Sequence, residues 1–189
     1  MLFNRSALAC LIGNVLVVMP RNAVLLSLSS SFYRQTFLVD KLFMSFAFIG
    51  ASIISIVGSL VGGSLANKVG RKRLTVISSL LLGVVALAFI NMPDLGLSLM
   101  VWMIGAFFMG VVNTAYNSLA LEQAPDNRAT MMSLSEVSMY AAIAVDNAFA
   151  GVLLLAFNYN IVSLLGLLSF IGTIVFYFFT IDPTQQAKQ

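Results

Sequence analysis

Histidine is absent from this chain. Its absence removes serine–histidine catalysis, haem ligation by histidine and His-rich metal sites. Cys10 is the only cysteine, so no internal disulfide can form and thiol redox chemistry is not expected. Charge is scarce too. Only 9% of the 189 residues are Asp, Glu, Lys or Arg, where a soluble domain carries about 25%. No glycine-rich nucleotide-binding loop occurs, which leaves ATP without a site. The basic residues sit in short loops rather than along one stripe, so the net charge of +3 is no nucleic-acid footprint. No cofactor, metal or nucleic-acid partner is expected, and an enzyme is disfavoured.

What the chain has is apolar length. Hydrophobic residues make up 60% of it and the mean hydropathy is +0.98. Six apolar runs, at about 7–31, 42–65, 74–92, 97–121, 129–157 and 161–181, are each near or above the ~20 residues that cross a bilayer. The pattern predicts an all-α membrane protein, a single six-helix domain over 1–189 with no room for a soluble one, and a lipid bilayer as its first partner. Ala7 to Met19 behind Arg5 resembles a signal peptide, but the run continues past Pro20 and Arg21, long enough to span. The connection from Tyr33 to Lys41 is polar, Asn158-Tyr159-Asn160 reads as a tight turn, and Asp182-Pro183 stops the sixth run. In the second run Ala51, Ser55, Ser59 and Gly63 recur every fourth position, and Gly58 and Gly62 form another pair one residue back. Small residues at that spacing let two helix backbones approach closely.

Residues 62–73 (GGSLANKVGRKR) form a polar elbow with four of the ten basic residues. With both termini in the cytoplasm of a multi-pass cell-membrane protein, the inner side carries Arg5, Lys68, Arg71, Lys72, Arg73, Arg128 and Lys188, and the outer side only Arg34 and Lys41. That excess is the positive-inside pattern. Helices one, two, four and five hold the Asn, Arg, Glu, Asp and Tyr residues, while three and six are plain and expected to face lipid. Two such triplets make a weak 3+3 repeat of the kind found in transporter halves.

Gly63-x-x-x-Asn67-Lys68-x-Gly70-Arg71-Lys72 resembles the Gly-x-x-x-Asp-Arg-x-Gly-Arg-Arg signature of the major facilitator superfamily, which joins the second and third helices of each six-helix half. Pro125-x-x-Arg128, with Glu122 ahead of it, is similar to that family's loop between the fourth and fifth helices. The resemblance implies half of a major-facilitator-type bundle, moving a small-molecule substrate by rocking against a second six-helix half. That second half is either another copy or a separate chain. The less complete signature, and a chain that stops soon after its sixth span, imply the carboxy-terminal half. The resemblance also implies a gate latch built from Gly63, Asn67, Lys68, Gly70, Arg71, Lys72, Arg73, Glu122 and Arg128. Asn67 stands where the family has an acid, which weakens such a latch, and Glu122 is the expected partner of Arg71 or Arg73. The plainer alternative is a solvated loop that only sets topology, with exposed pairs worth ~0–1 kcal/mol.

Arg21 lies about 15 residues into the first span, ~22 Å deep at 1.5 Å per residue, and Asp146 lies at a similar depth in the fifth. Pro20 should kink the helix and free a carbonyl near Leu16. Both charged residues would line the cavity in the family's fold, so an Arg21–Asp146 ion pair is expected. The alternative is that Arg21 snorkels outward. Ser133, Glu136, Tyr140 and Asn147 share one helical face, which reads as a cavity stripe with Tyr140, Asn147 and Asp146 among the substrate candidates. Glu136 is either a protonatable cavity carboxyl or a partner of the cytoplasmic arginines, and Glu136 and Asp146 are the proton-coupling candidates. Asn113, Tyr116 and Asn117 add cavity candidates, or interhelical hydrogen bonds. Trp102 and Tyr159 fit an outer aromatic belt. Met100, Met103, Met109, Met131 and Met132 and the run from Phe176 to Phe179 read as packing and lipid-facing surface. The rival functions are a truncated or accessory membrane fragment without transport of its own, a small oligomeric channel and an intramembrane hydrolase. No filter-like segment supports the channel.

Overall fold

The computed structural model describes residues 5–181. Lys188 and the Asp182-Pro183 stop lie outside the described residues. Six helices are long and apolar enough to cross a membrane: the first Arg5–Thr36, the second Lys41–Val69, the third Arg71–Asn91, the fourth Leu95–Gln123, the fifth Pro125–Ala156 and the sixth Tyr159–Phe179. No strand occurs among the described residues.

Local chemistry sets the helix ends. Asp40 and Asp94 cap the second and fourth helices. The Asp94 carboxylate accepts from the amides of Gly96 at 2.9 Å and Leu97 at 3.3 Å, two donors that would otherwise lack a partner. Gly70 takes φ 100°, a conformation that a side chain resists, and a single residue thus turns the second helix into the third. Pro125 opens a short 3₁₀ turn ahead of the fifth helix. With connections this short, consecutive helices run antiparallel.

The second helix packs along the fourth, the fourth also touches the third, and the third lies between the fourth and the sixth. The first helix packs on the sixth and the fifth. Backbones nearly touch where the second and fourth helices cross. A Cβ on Gly58 would overlap the Phe107 carbonyl, one on Gly62 would press on Val111, and one on Gly110 would overlap the Ser55 carbonyl. The close contact therefore uses both rows, Gly58 and Gly62 against Phe107 and Val111 and the Ser55 and Ser59 backbone against Gly110, while the side chains of Ala51, Ser55 and Ser59 border a cavity.

The most covered helices are the first and third, 56% buried along their apolar windows, and the least covered are the second and fifth, at 17%. The third and sixth helices, expected to face lipid, are therefore not the least covered within this bundle. They do expose apolar rows, such as Ile77, Leu80 and Val84 or Ile171 and Ile174. Their small residues, however, let them bury the opposite face against each other, Gly83 lying against Gly166 and Ser169. Met109 and Met131 are buried, Met100 is exposed, and the aromatic run divides into a buried Phe176 and exposed Tyr177, Phe178 and Phe179.

Two ends differ in chemistry. At the basic end Arg71 and Glu122 form an ion pair, and Lys72 donates to the Thr180 carbonyl at 2.6 Å. The Ser6 hydroxyl donates to Gln123 Oε1 and accepts from the Ile181 amide at 2.9 Å, while Gln123 Nε2 donates to the Ile181 carbonyl at 3.1 Å. At the other end Phe32, Tyr33, Phe89 and Trp102 make an aromatic cluster. Tyr33 is wholly buried within a helix that runs on to Thr36, so the polar connection is shorter than the sequence implies. Trp102 is not a belt residue. It is fully buried, and its indole N–H donates to the Leu25 carbonyl at 2.7 Å, the partner a buried indole requires. Tyr159 is partly exposed and donates to Gln35 at 2.8 Å.

Candidate functional site

Pro20 lacks the N–H that would continue the first helix, and the chain answers with a π-helical stretch over Arg21–Ser27. Within it the Leu28 amide reaches back five residues to the Ala23 carbonyl at 3.0 Å. The wider turn leaves the Leu25 carbonyl free for Trp102, and Ser29 donates to the Leu26 carbonyl at 3.0 Å. The irregular segment sits mid-span with its polar groups facing other helices, which is where non-helical backbone is tolerated in a membrane.

Arg21, the first residue of this stretch, lies where two cavities meet. The smaller, about 160 Å³, is lined by Asn14 and Arg21 of the first helix, Asn113, Tyr116 and Asn117 of the fourth, and Ser135, Glu136 and Met139 of the fifth. The larger, about 340 Å³, is lined by Arg21, by Phe48, Ser52, Ser55 and Ser59 of the second helix, and by Trp102, Met109 and Asn113 of the fourth. Arg21 and Asn113 belong to both. The walls come from helices one, two, four and five alone. Tyr116 is held by a 2.7 Å hydrogen bond to Ser135, joining the fourth and fifth helices on the cavity floor.

The structure thus brings together Arg21, Asn113, Tyr116, Asn117 and Glu136, and the Arg21 side chain borders these cavities. Sequence reasoning missed Asn14, Ser52, Ser135 and Met139. Asn14 was within reach of inspection, seven residues before Arg21 and so two turns along the same face. Tyr140 and Asn147 line neither cavity. Tyr140 is exposed, and Asn147 instead accepts hydrogen bonds from Ser27 at 2.7 Å and Asn22 at 3.4 Å.

The expected Arg21–Asp146 ion pair does not form. Arg21 Nη2 lies 4.0 Å from the Met139 sulfur, and Asp146 is buried against Asn22 and the Ala23 amide, one and two residues further on. Neither carboxylate oxygen reaches a hydrogen bond of good geometry. Adjacent helical residues point roughly 100° apart, so equal depth brought the right helices together on the wrong faces. Asp146 borders a separate apolar pocket among Met19, Phe149, Leu153, Leu165 and Leu168. Glu136 makes no ion pair with the basic-end arginines among the described residues.

A sequence model described as Major Facilitator Superfamily matches residues 10–189. The chain belongs to the major facilitator superfamily. A stretch of 110 residues is 29% identical to the uncharacterized MFS-type transporter YceJ of Bacillus subtilis (strain 168), and covers 56% of this chain and 28% of that protein. The superfamily is a class of transporters and not of enzymes, and this chain is a multi-pass membrane protein with a six-helix major facilitator fold.

In that light the elbow between the second and third helices has a clear layout. Arg71 pairs with Glu122 across the ends of the third and fourth helices. Lys72 meets Thr180 and lies 5.9 Å from the Tyr177 ring centroid. A Cβ on Gly63 would meet Thr114 at ordinary contact distance, and Gly70 makes the turn. Asn67, Lys68, Arg73 and Arg128 are exposed, and Asn67 makes no hydrogen bond among the described residues.

Proposed function

We propose that this chain is one six-helix half, the carboxy-terminal type, of a secondary transporter that carries a small solute through the cavities meeting at Arg21 and Asn113. One observation carries the reading: four helices, and those four only, converge on a mid-span pair of cavities, one polar and one largely apolar, that share a half-buried cation. The superfamily's manner of working, two bundles rocking about a midplane site, gives such cavities their use. A second six-helix half, another copy or a separate chain, is the partner. The open faces of the second and fifth helices, where Ser133, Glu136, Tyr140 and Asn147 stand uncovered, support it. The departure of Asn67-Lys68 from the family's Asp-Arg supports the carboxy-terminal type. The basic end faces the cytoplasm of the cell membrane, with both termini there, on the count of seven basic residues against two. Glu136 is the proton-coupling group, because it shares a cavity with Arg21, whereas Asp146 does not.

The test is thiol labelling of intact cells with a membrane-impermeant reagent. The native Cys10 is fully buried and silent. Asn113→Cys and Asn117→Cys should react and Ile77→Cys, on the outward face of the third helix, should not. Labelling at Ile77→Cys with silence at the two cavity positions would remove the transporter reading.

A further inference from the structure

Arg21 is a cation in mid-span that no anion meets. Among the described residues it forms no ion pair, its Nε is buried without a hydrogen-bond partner, and its Nη2 has only the Met139 thioether at 4.0 Å. A guanidinium placed inside a membrane requires a partner, and it offers a planar fork of donors that matches a carboxylate. The Nε is one tine of that fork and it is vacant. The two acids of the neighbourhood do not fill it. Asp146 faces Asn22 and Ala23, and Glu136 stands on an exposed stretch of the fifth helix across the smaller cavity.

The surroundings of Arg21 divide into a polar side, which includes Glu136 on the far wall, and an apolar side. Toward the smaller cavity lie Asn113 and Asn117, whose amides can donate to an oxyanion. Toward the larger lie Phe48, Ile56, Trp102 and Met109, an apolar chamber with serines on one wall. We infer that the site takes a small organic anion, a carboxylate with an apolar body, its carboxylate on Arg21 and Asn113 and its body against Phe48 and Ile56, with Trp102 behind Phe48. A cation would meet Arg21 head-on, and a neutral molecule would leave the guanidinium unmatched.

This substrate class rests on the transporter reading, and a binding experiment separates the two. The probes are phenylpropionate, phenylpropanamide and phenylpropylamine, matched in shape and differing in charge, added to the full chain in lipid nanodiscs. Trp102 is the chain's single tryptophan and lines the larger cavity, so its emission reports occupancy. Phenylpropionate should give a saturable change and should protect Asn117→Cys from labelling, with the amide and the amine at least about tenfold weaker. Arg21→Gln should reduce that preference to within about twofold, and Arg21→Lys, which keeps the charge and loses the fork, should retain part of it. Equal or tighter binding of the amine or the amide overturns the anion assignment, as does a preference that survives Arg21→Gln or a tryptophan that answers none of the three. In each of those cases a reactive Asn113→Cys leaves a transporter for another solute class, and an unreactive one removes the transporter itself.

Discussion

The indole of Trp102, on the fourth helix, donates to the Leu25 carbonyl in the π-helical stretch of the first at 2.7 Å. A backbone acceptor released by a wide turn is thereby satisfied from another helix, in the wall of the larger cavity. Trp102→Phe keeps the ring and removes the donor, leaving a buried carbonyl unpaired. Such groups cost roughly 1–3 kcal/mol, so the variant should unfold several degrees earlier in detergent than the parent.

Gly58 and Gly110 should tolerate no side chain. An added Cβ would fall inside the Phe107 or the Ser55 carbonyl, and backbone cannot step aside as a flexible side chain can. Gly58→Ala and Gly110→Ala should each destabilise by about 1–3 kcal/mol, as overpacking does. Gly151 has nothing within 4 Å of such an atom, and Gly151→Ala should be neutral or gain about 0.5–1 kcal/mol from helix propensity. Thermal midpoints of the three purified variants decide the matter.

Arg21 and Asp146 should act independently on stability. Their side chains do not pair, so Arg21→Ala and Asp146→Ala should combine additively within about 0.3–0.5 kcal/mol. Asp146→Asn removes a charge whose two oxygens are buried and unbonded. It should match or exceed the parent in stability, as neutral replacements of poorly compensated buried charges often do. A large coupling in the double variant would restore the pair.

The Arg71–Glu122 pair should be worth little. Both side chains are partly exposed, at 31% and 22%, and a double-mutant cycle should return a coupling under about 1 kcal/mol, weaker at high salt. Arg71→Ala should cost more than Glu122→Gln, because it leaves a carboxylate with Oε2 buried and unpartnered.

The parts of this molecule that follow from counting were readable in the chain. Span length fixes six helices and the glycine in GRKR fixes the turn at Gly70, while Glu122 as the partner of Arg71 or Arg73 comes from the family resemblance and not from counting. Counting also gives height within the membrane, which is why Arg21 and Asp146 were placed at one level. It does not give azimuth. A π-helical stretch turns less per residue than an α-helix, so everything after Pro20 is rotated away from its α-helical expectation. Trp102 was misplaced for a related reason. A tryptophan near a membrane boundary has two homes, interface or core, and only the unpaired carbonyl at Leu25 selects the second. Both small-residue rows of the second helix meet the fourth, Gly58 and Gly62 against Phe107 and Val111 and Ser55 and Ser59 against Gly110, and the glycine that admits the second contact is on the partner helix.

Ser6, Lys72 and Gln123 come from the first, third and fourth helices, and all three end on the two residues that follow the sixth. Thr180 and Ile181 therefore work like the knot in a drawstring. Trimming the protein at Phe179, by protease or by design, would leave every transmembrane segment whole and yet unlace four of them at a stroke. An affinity tag is better fused well downstream of that knot than flush against it.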